Sequence, residues 1–302
     1  MKKIDIHVHS NLVKVPHERM GPGRGTEKYP NTSFTDPGEL RAMYDKLGVE
    51  FGVNLPLVSP EFQAIALSNE EAQAVADNYP ETYVWFCNLD PRGFGHKDDA
   101  DLSYFIEYFK ARGAKGIGEI TANIPFDHPL VFNLFKHAEK CGMPVLFHIG
   151  YPGGGDYGLV DEIGLPRLEK ALAAFPNLKF LGHSQKFWAE ISGDVTEKSR
   201  GGYPKGPVKD GRLEILFDKY PNLCGDLSAG SGENAVRRDE AYGCYFMEKY
   251  QDRLFFGTDI CDPVNDMRLS FWMDDMLAAG KISQTAYEKI GRKNALKLLK
   301  MD

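Results

Sequence analysis

Two histidines lie one residue apart in the first apolar segment of the chain. The segment from Ile4 to His9 alternates apolar and polar residues, which is typical of a β-strand with one buried face. Because side chains alternate between the two faces of a strand, His7 and His9 point in the same direction. Two imidazoles on one face of a rigid strand provide half of the ligands that a divalent metal ion needs.

Four further residues of metal-ligand type each close an apolar run. Glu119 and His148 lie at the ends of the predicted fourth and fifth strands, and His183 and Asp259 follow the sixth and eighth. Four imidazoles and two carboxylates in one cavity suit one or two Zn²⁺ ions, with Mn²⁺ or another divalent metal as the alternative. Burying six such groups without a metal would be unfavourable. We therefore predict that all six bind metal: His7, His9, Glu119, His148, His183 and Asp259.

Eight strand-like runs alternate with amphipathic helical stretches along the chain, which predicts a parallel sheet with helical crossovers. The predicted strands are Lys3–Val8, Glu50–Leu57, Tyr83–Leu89, Lys115–Ile120, Pro144–Ile149, Leu178–Leu181, Asn222–Leu227 and Arg253–Thr258. The clearest helices are Asp99–Arg112, Leu130–Cys141 and Leu165–Phe175. Eight such units favour an α/β fold of the (β/α)8 TIM-barrel type, built as a single domain over residues 1–302. The segment Asp266–Met301 is predicted to be a helical extension that covers the barrel.

Two long stretches without periodicity follow predicted strands one and six. They run from Asn11 to Asp36 and from Ser192 to Lys209. Loops of this length in a compact domain are usually functional or disordered, and both leave the face where barrel active sites lie. We expect both loops to shape a substrate pocket.

Residues near the ends of the predicted strands are weaker candidates for substrate contacts. We consider Arg24, Tyr151, Trp188 and Arg237, with Asp226 as a further supporting candidate. An arginine in such a loop could pair with a substrate carboxylate through two hydrogen bonds. An ordinary surface or packing role is the alternative for each of them. Asp5 shares the predicted face of His7 one layer deeper, so we expect it to be a buried support residue.

The composition narrows the classes of partner. The 302 residues carry 36 cationic and 43 acidic side chains, a net charge of -7, which argues against nucleic acid or an anionic membrane as the partner. The apolar runs are too short to span a bilayer. The five cysteines form no CxxC pair and are expected to be free thiols in a reducing cytoplasm. A small molecule is the expected partner, and a homo-oligomer is left open.

The ordered donors resemble those of the amidohydrolase superfamily. The match is closest to its amidohydrolase-related branch, amidohydrolase 2, which resembles lactonases and nonoxidative decarboxylases. The resemblance rests on the His-x-His of strand one, the strand-five histidine, the Gly-His of strand six and the Gly-Thr-Asp of strand eight. It implies a metal-dependent barrel enzyme in which His7, His9 and Asp259 bind the first metal.

The resemblance leaves the metal count open. His148 and His183 would bind a second metal, or one would bind the single metal while the other is catalytic. Many binuclear members have a carboxylated lysine on strand four. This chain has Glu119 there instead, in a Gly-Ile-Gly-Glu setting that is similar to the deoxyribonuclease-like branch.

Three functions compete on this evidence. The first is a hydrolase of an ester, lactone or amide bond in a small organic acid, in which the metal activates water and Asp259 moves its proton. The second is a nonoxidative decarboxylase of an aromatic or unsaturated acid, in which His183 or Asp259 protonates a carbanion-like centre. The third, a metal-binding protein without catalysis, is less favoured because open sites of mixed nitrogen and oxygen donors are typical of catalysis.

Overall fold

The computed structural model describes residues 1–14, 34–62, 67–153 and 156–301. Nine strands are present in this part of the chain, and every pairing between them is parallel. They are β1 (Lys3–Val8), β2 (Val49–Asn54), β3 (Tyr83–Trp85), β4 (Ile117–Ile120), β5 (Val145–Gly150), β6 (Leu159–Val160), β7 (Phe180–His183), β8 (Leu223–Asp226) and β9 (Leu254–Phe255).

Eight of these strands form a ring in chain order. One sheet has the order β1-β2-β3 and the other the order β4-β5-β7-β8-β9. Parallel bridges join the two sheets at both edges, from Cys87 to Ile117 and from Val8 to Ile260. The predicted TIM-barrel class is therefore confirmed. The strand β6, which pairs only with β5, was not predicted, because two residues are too few to show alternation.

Thirteen α-helices are found in the described residues, most of them between consecutive strands. They are α1 (Pro37–Leu47), α2 (Asn69–Asn78), α3 (Ser103–Ala111), α4 (Pro129–Cys141), α5 (Pro166–Ala174), α6 (Gln185–Trp188), α7 (Glu197–Arg200), α8 (Arg212–Lys219), α9 (Ala229–Arg237), α10 (Glu240–Lys249), α11 (Leu269–Ala278), α12 (Gln284–Glu288) and α13 (Asn294–Leu299). None of the helices among the described residues is both long and apolar enough to cross a membrane.

Local sequence explains where these helices begin and end. The helix α4 starts at Pro129, whose missing N–H is not needed in a first turn, and stops before Gly142, which has a φ of 63°. Predicted helix α3 begins four residues later than expected, because the Asp101 side chain accepts a hydrogen bond from the Ser103 N–H and forms a turn ahead of it.

The C-terminal region after β9 is helical, as predicted, but it is divided. Gly280, with a φ of 68°, ends the segment that contains α11, and a π-helical turn over Lys289–Lys293 connects α12 to α13. The side-chain amide of Asn294 donates to the carbonyls of Gln251 and Leu254, which fixes α13 at the start of β9. The extension therefore packs against the N-terminal ends of the strands.

The inside of the barrel is apolar below its C-terminal end. Strand side chains from opposite sides of the ring share one buried cluster, and contact between them is possible only inside the ring. The cluster includes Ile4, Ile6, Phe51, Val53, Phe86, Leu146, Leu181, Cys224 and Phe255. Ala295 and Leu299 from α13 join it from below. A larger cluster fills the space between the strands and the outer helices.

Candidate metal centre

The structure brings the six predicted donors together at the C-terminal end of the barrel. They lie in or just after β1, β4, β5, β7 and β9, and five of them are almost completely buried. The pairing of β5 with β7 sets His148 directly beside His183. A hydrogen bond of 2.8 Å from the Asp259 N–H to the His7 carbonyl closes the ring between β9 and β1.

Four donor atoms surround one point. His7 Nε2 lies 3.1 Å from His9 Nε2 and 3.4 Å from Asp259 Oδ1. Glu119 Oε2 lies 3.6 Å from His7 Nε2 and 3.4 Å from His9 Nε2. Donors that are bonded to one tetrahedral Zn²⁺ ion at 2.0–2.1 Å are separated by about 3.3 Å. The spacing and the chemistry of these side chains therefore fit a divalent metal.

A second group of donors begins at the other oxygen of Glu119. Its Oε1 atom lies 2.8 Å from His148 Nδ1, whereas Oε2 faces His7 and His9. His183 Nε2 lies 3.7 Å from Asp259 Oδ2, the oxygen that is not directed at His7 and His9. His7, Glu119 and His183 also form a set of donors close enough to hold one ion. Both carboxylates thus lie between two sets of histidine nitrogens.

Hydrogen bonds behind the histidines fix which ring nitrogen faces the centre. Asp226 Oδ2 lies 2.7 Å from His7 Nδ1, and the Leu55 carbonyl lies 2.8 Å from His9 Nδ1. Both acceptors require a proton on Nδ1, so the Nε2 lone pairs of His7 and His9 are directed at the centre. Such outer partners are the usual way in which proteins orient metal-binding imidazoles.

A buried serine extends this support to the third histidine. The Ser228 hydroxyl donates to Asp226 Oδ2 at 2.8 Å and lies 2.9 Å from His183 Nδ1. Since its single proton is directed at Asp226, Ser228 accepts a hydrogen bond from His183 Nδ1–H. The Nε2 atom of His183 faces Asp259.

The charges of the centre favour a cation. Burial alone would raise the pKa of Glu119, but the hydrogen bond from His148 and the nearby imidazoles of His7 and His9 hold the pKa well below its ordinary value. Burial would likewise raise the pKa of Asp226, whereas His7 and His183 lower it. Burial opposes the charged form of His7, yet Asp259 and Asp226 raise its pKa strongly. Three carboxylates around His7 therefore draw positive charge to this point, as a proton or as a metal ion.

Asp259 differs from the other donors in its exposure. Its side chain is 27% exposed, whereas those of His7 and His9 are 0% and 5% exposed. Its backbone has a φ of 56°, a left-handed conformation that aspartate adopts more readily than most residues. Asp259 is therefore the donor that faces the open side of the centre.

The four weaker candidates take different positions. Arg24 lies outside the described residues. The Tyr151 hydroxyl donates to the Glu197 carbonyl at 2.8 Å, which joins the end of β5 to α7 in the long loop Ser192–Lys209. Trp188 is only 2% exposed and its indole N–H donates to the Asp226 carbonyl, so it lies beneath the centre as a support. Arg237 lies on α9 and pairs with Glu233.

The structure describes all of the loop Ser192–Lys209 but only the ends of the loop Asn11–Asp36. Residues 15–33, most of the loop Asn11–Asp36, lie outside the described residues. At its end, Phe34 stacks on the His9 ring at a centroid distance of 5.2 Å. The loop Ser192–Lys209 contains the short helix α7, whose Arg200 is buried against Glu190 and the carbonyls of Asp161 and Glu162.

Sequence analysis did not identify two side chains beside His148. The Tyr157 ring lies 4.4 Å from the His148 ring, and burial, together with the charges of Glu119 and Asp259, raises the Tyr157 pKa well above its ordinary value. Lys186 is buried, lies over the Tyr151 ring and pairs with Asp156 at 3.0 Å. Lys186 comes three residues after His183, and this nearness in sequence is the signal that could have indicated it.

The Asp5 side chain is buried as expected and accepts a hydrogen bond from the His7 backbone N–H at 3.0 Å, but it does not contact the imidazole rings. Its carboxylate accepts hydrogen bonds from the Tyr44 hydroxyl of α1 and from Thr258. The pairing of β1 with β2 is irregular between Asp5 and Val8, so the simple alternation that placed Asp5 below His7 does not hold there. Asp5 instead ties β1 to α1 and to the segment that carries Asp259.

Comparison with known proteins places this geometry in a family. The amidohydrolase family profile matches residues 4–301 of the chain. An uncharacterized TIM-barrel protein from Bordetella bronchiseptica has a similar structure, with a TM-score of 0.61 and 16% identity over 100% of this chain and 99% of that one. No curated protein matches the chain in sequence.

Two further solved structures are similar at low identity. A probable 2-pyrone-4,6-dicarboxylic acid hydrolase from Acinetobacter baumannii, solved with citric acid, has a TM-score of 0.59 and 13% identity over 99% of this chain and all of that one. A dihydroxybenzoic acid decarboxylase from Polaromonas sp. JS666, solved with manganese and 2-nitroresorcinol, has a TM-score of 0.57 and 16% identity over 99% of this chain and 97% of that one. At these identities the structural likeness shows the fold alone. The match over residues 4–301 shows that the chain belongs to the amidohydrolase family of metal-dependent TIM-barrel enzymes.

Proposed function

We propose that the protein is a metal-dependent hydrolase of an ester, lactone or amide bond in a small organic acid. The position of Glu119 is the observation that carries this proposal, because its two oxygens face different histidines. A carboxylate in this position can be shared by two ions. His7, His9 and Asp259 would hold the first ion, and His148 and His183 the second, with Zn²⁺ as the first choice of metal.

The chain's own residues supply orientation and proton transfer. A divalent ion in such a site lowers the pKa of water and polarises a carbonyl oxygen. Asp226 and the Leu55 carbonyl hold the imidazoles of His7 and His9 with Nε2 facing inward. Asp259, the exposed carboxylate, accepts a proton at Oδ2 from the attacking water and returns it to the leaving group.

Nonoxidative decarboxylation of an aromatic or unsaturated acid is the second candidate. Its support is the arrangement of His183, whose Nδ1 is fixed by Ser228 and whose Nε2 faces Asp259. If His183 binds no metal and takes up a proton at Nε2 from solvent, it is positioned to deliver that proton to the carbon that loses carbon dioxide. Decarboxylases and a probable hydrolase are both among the proteins of similar structure.

Metal counting separates the two candidates. We expect two ions per chain in the unaltered protein and fewer in Glu119→Gln, because the carboxamide cannot share two ions equally. Glu81→Gln, a change at an exposed glutamate, serves as the control. The proteins should also be assayed with a lactone panel and with hydroxybenzoates. One ion in all three proteins, with carbon dioxide released from an acid, would replace hydrolysis by decarboxylation.

A further inference from the structure

A cavity of about 460 Å³ opens at the end of the barrel opposite to the candidate metal centre. Its walls come from the residues just before β5, β7 and β9 and from the C-terminal helical region. This volume lies within the range of about 300–1,000 Å³ that is typical of small-molecule sites. The donors of the metal centre lie at the other ends of these strands, so the cavity is separate from that site.

The lining of the cavity is divided by polarity. Leu178, Cys224 and Phe255 form an apolar floor and are almost completely buried. Leu298 of α13 extends this floor toward the opening. An apolar floor of this kind favours a ligand with a hydrocarbon chain or ring.

The rim of the cavity is cationic. Six basic side chains line it, against two carboxylates. Both carboxylates are already engaged, since Glu139 accepts from the Asn177 N–H at 2.8 Å and Asp252 pairs with Lys289 at 2.7 Å. This excess of positive charge is found on a chain whose net charge is -7.

Four of the cations have no carboxylate partner among residues 1–14, 34–62, 67–153 and 156–301. They are Lys179, Arg253, Lys297 and Lys300. Lys179 donates to the backbone carbonyl of Pro221 and Arg253 to that of Tyr220. Both are close enough to the floor to oppose the effect of burial, which raises the pKa of the Cys224 thiol to about 11. Lys297 and Lys300 lie one turn apart at the end of α13 and are exposed to solvent.

We propose that this cavity binds a small amphipathic anion, with its apolar part on the floor and a carboxylate or phosphate head group against Lys297 and Lys300. One wall of the cavity offers the apolar surface and another offers the cations. This combination distinguishes the site from an ordinary cluster of surface lysines. Charged hydrogen bonds to an anionic oxygen are stronger than neutral ones, so the head group should contribute a large share of the affinity. The proposal does not depend on which reaction the metal centre catalyses.

Calorimetric titration of the metal-loaded protein with four probes tests the proposal. The probes are decanoate, decyl phosphate, 1-decanol and inorganic phosphate. We expect one-to-one binding of at least one decyl anion, with 1-decanol and inorganic phosphate each tenfold weaker or more. The preferred decyl anion identifies the head group. Equal affinity for 1-decanol, or no saturable binding of either decyl anion, would overturn the proposal.

Three variants locate the binding. Lys297→Gln/Lys300→Gln should weaken the decyl anion tenfold or more, whereas Lys46→Gln/Lys198→Gln, which changes two exposed lysines elsewhere, should not. A carboxylate could also bind at the metal centre, so His7→Ala/His9→Ala, which removes two metal donors, is included and should leave the affinity for the decyl anion unchanged. Loss of binding in His7→Ala/His9→Ala would assign the anion to the metal centre. That result, or an unchanged affinity in Lys297→Gln/Lys300→Gln, would refute the cavity site.

Discussion

The two ends of the barrel are built from the same strands and have opposite chemistry. On β1, Ile4 and Ile6 belong to the apolar cluster inside the ring, and His7 and His9 follow within three residues. On β7, Leu181 belongs to that cluster and His183 ends the strand. The apolar half packs the strands against one another. The packed strands fix the positions of the side chains at their C-terminal ends, so the donors there converge before any ligand binds.

The ends also differ in charge. Three carboxylates surround His7 at the C-terminal end, whereas the cavity at the other end has an apolar floor and four cations without a carboxylate partner in the described part of the chain. The net charge of -7 does not show this difference in charge between the two ends. We therefore expect substitutions at the C-terminal end to change metal binding and turnover most. Substitutions in the apolar cluster below it should mainly change the free energy of unfolding.

The largest expected effect is at Asp259. Asp259→Asn removes the group that accepts the proton but keeps an oxygen that can coordinate metal. We expect kcat to fall by about 10²–10⁴-fold, the usual contribution of general acid-base catalysis, while metal content stays within twofold. Asp266→Asn, an exposed change seven residues later, is the control. Near-normal turnover of Asp259→Asn would move the proton-transfer role to His183.

A smaller effect is expected at Asp226, which contacts His7 and Ser228 and lies behind the donors. Asp226→Asn weakens the acceptor that holds the Nδ1 proton of His7, so metal affinity should fall by about 10–100-fold. Chelator competition measures the dissociation constant, and Asp218→Asn on α8 is the control. An unchanged constant would show that His7 keeps its orientation without this carboxylate.

The smallest effect is expected in the apolar cluster inside the ring. Ile4→Val removes one buried methyl group and should lower the free energy of unfolding by about 0.5–1.5 kcal/mol. Metal affinity should stay within twofold, because His7 and His9 keep their positions. Ile215→Val, at a side chain that is 55% exposed, should leave both quantities unchanged. A large loss of metal affinity in Ile4→Val would mean that the two ends are not separable.

The convergence of the six candidate donors was easier to predict from the sequence than the groups that orient them. His7, His9, Glu119, His148, His183 and Asp259 each close an apolar run, and strand order alone brings such positions together. Asp226 was only a supporting candidate and Ser228 was not considered. Asp226 meets His7 across 219 residues, and no local pattern records such a contact.

The sequence also did not show how close packing around Asp226 restricts the neighbouring residues. A methyl group on Gly257 would lie 2.5 Å from Asp226 Oδ1, so the glycine leaves room for that carboxylate. Trp188 follows His183 closely enough to suggest a substrate contact, yet the chain turns it beneath Gly225 and Asp226. Asp5 does not share the face of His7, because the pairing of β1 is irregular between Asp5 and Val8, and its carboxylate accepts from Tyr44 of α1.

Metal uptake by the chelator-treated protein tests the central claim most directly. Titration with Zn²⁺ or Mn²⁺ should show stoichiometric binding in the unaltered protein. His7→Ala/His9→Ala should bind at least 100-fold more weakly, because two of the four converging donors are lost. The control is His96→Asn, a change at an exposed histidine far from the centre in sequence. Absence of uptake by the unaltered protein, or equal uptake by the double variant, would contradict the account.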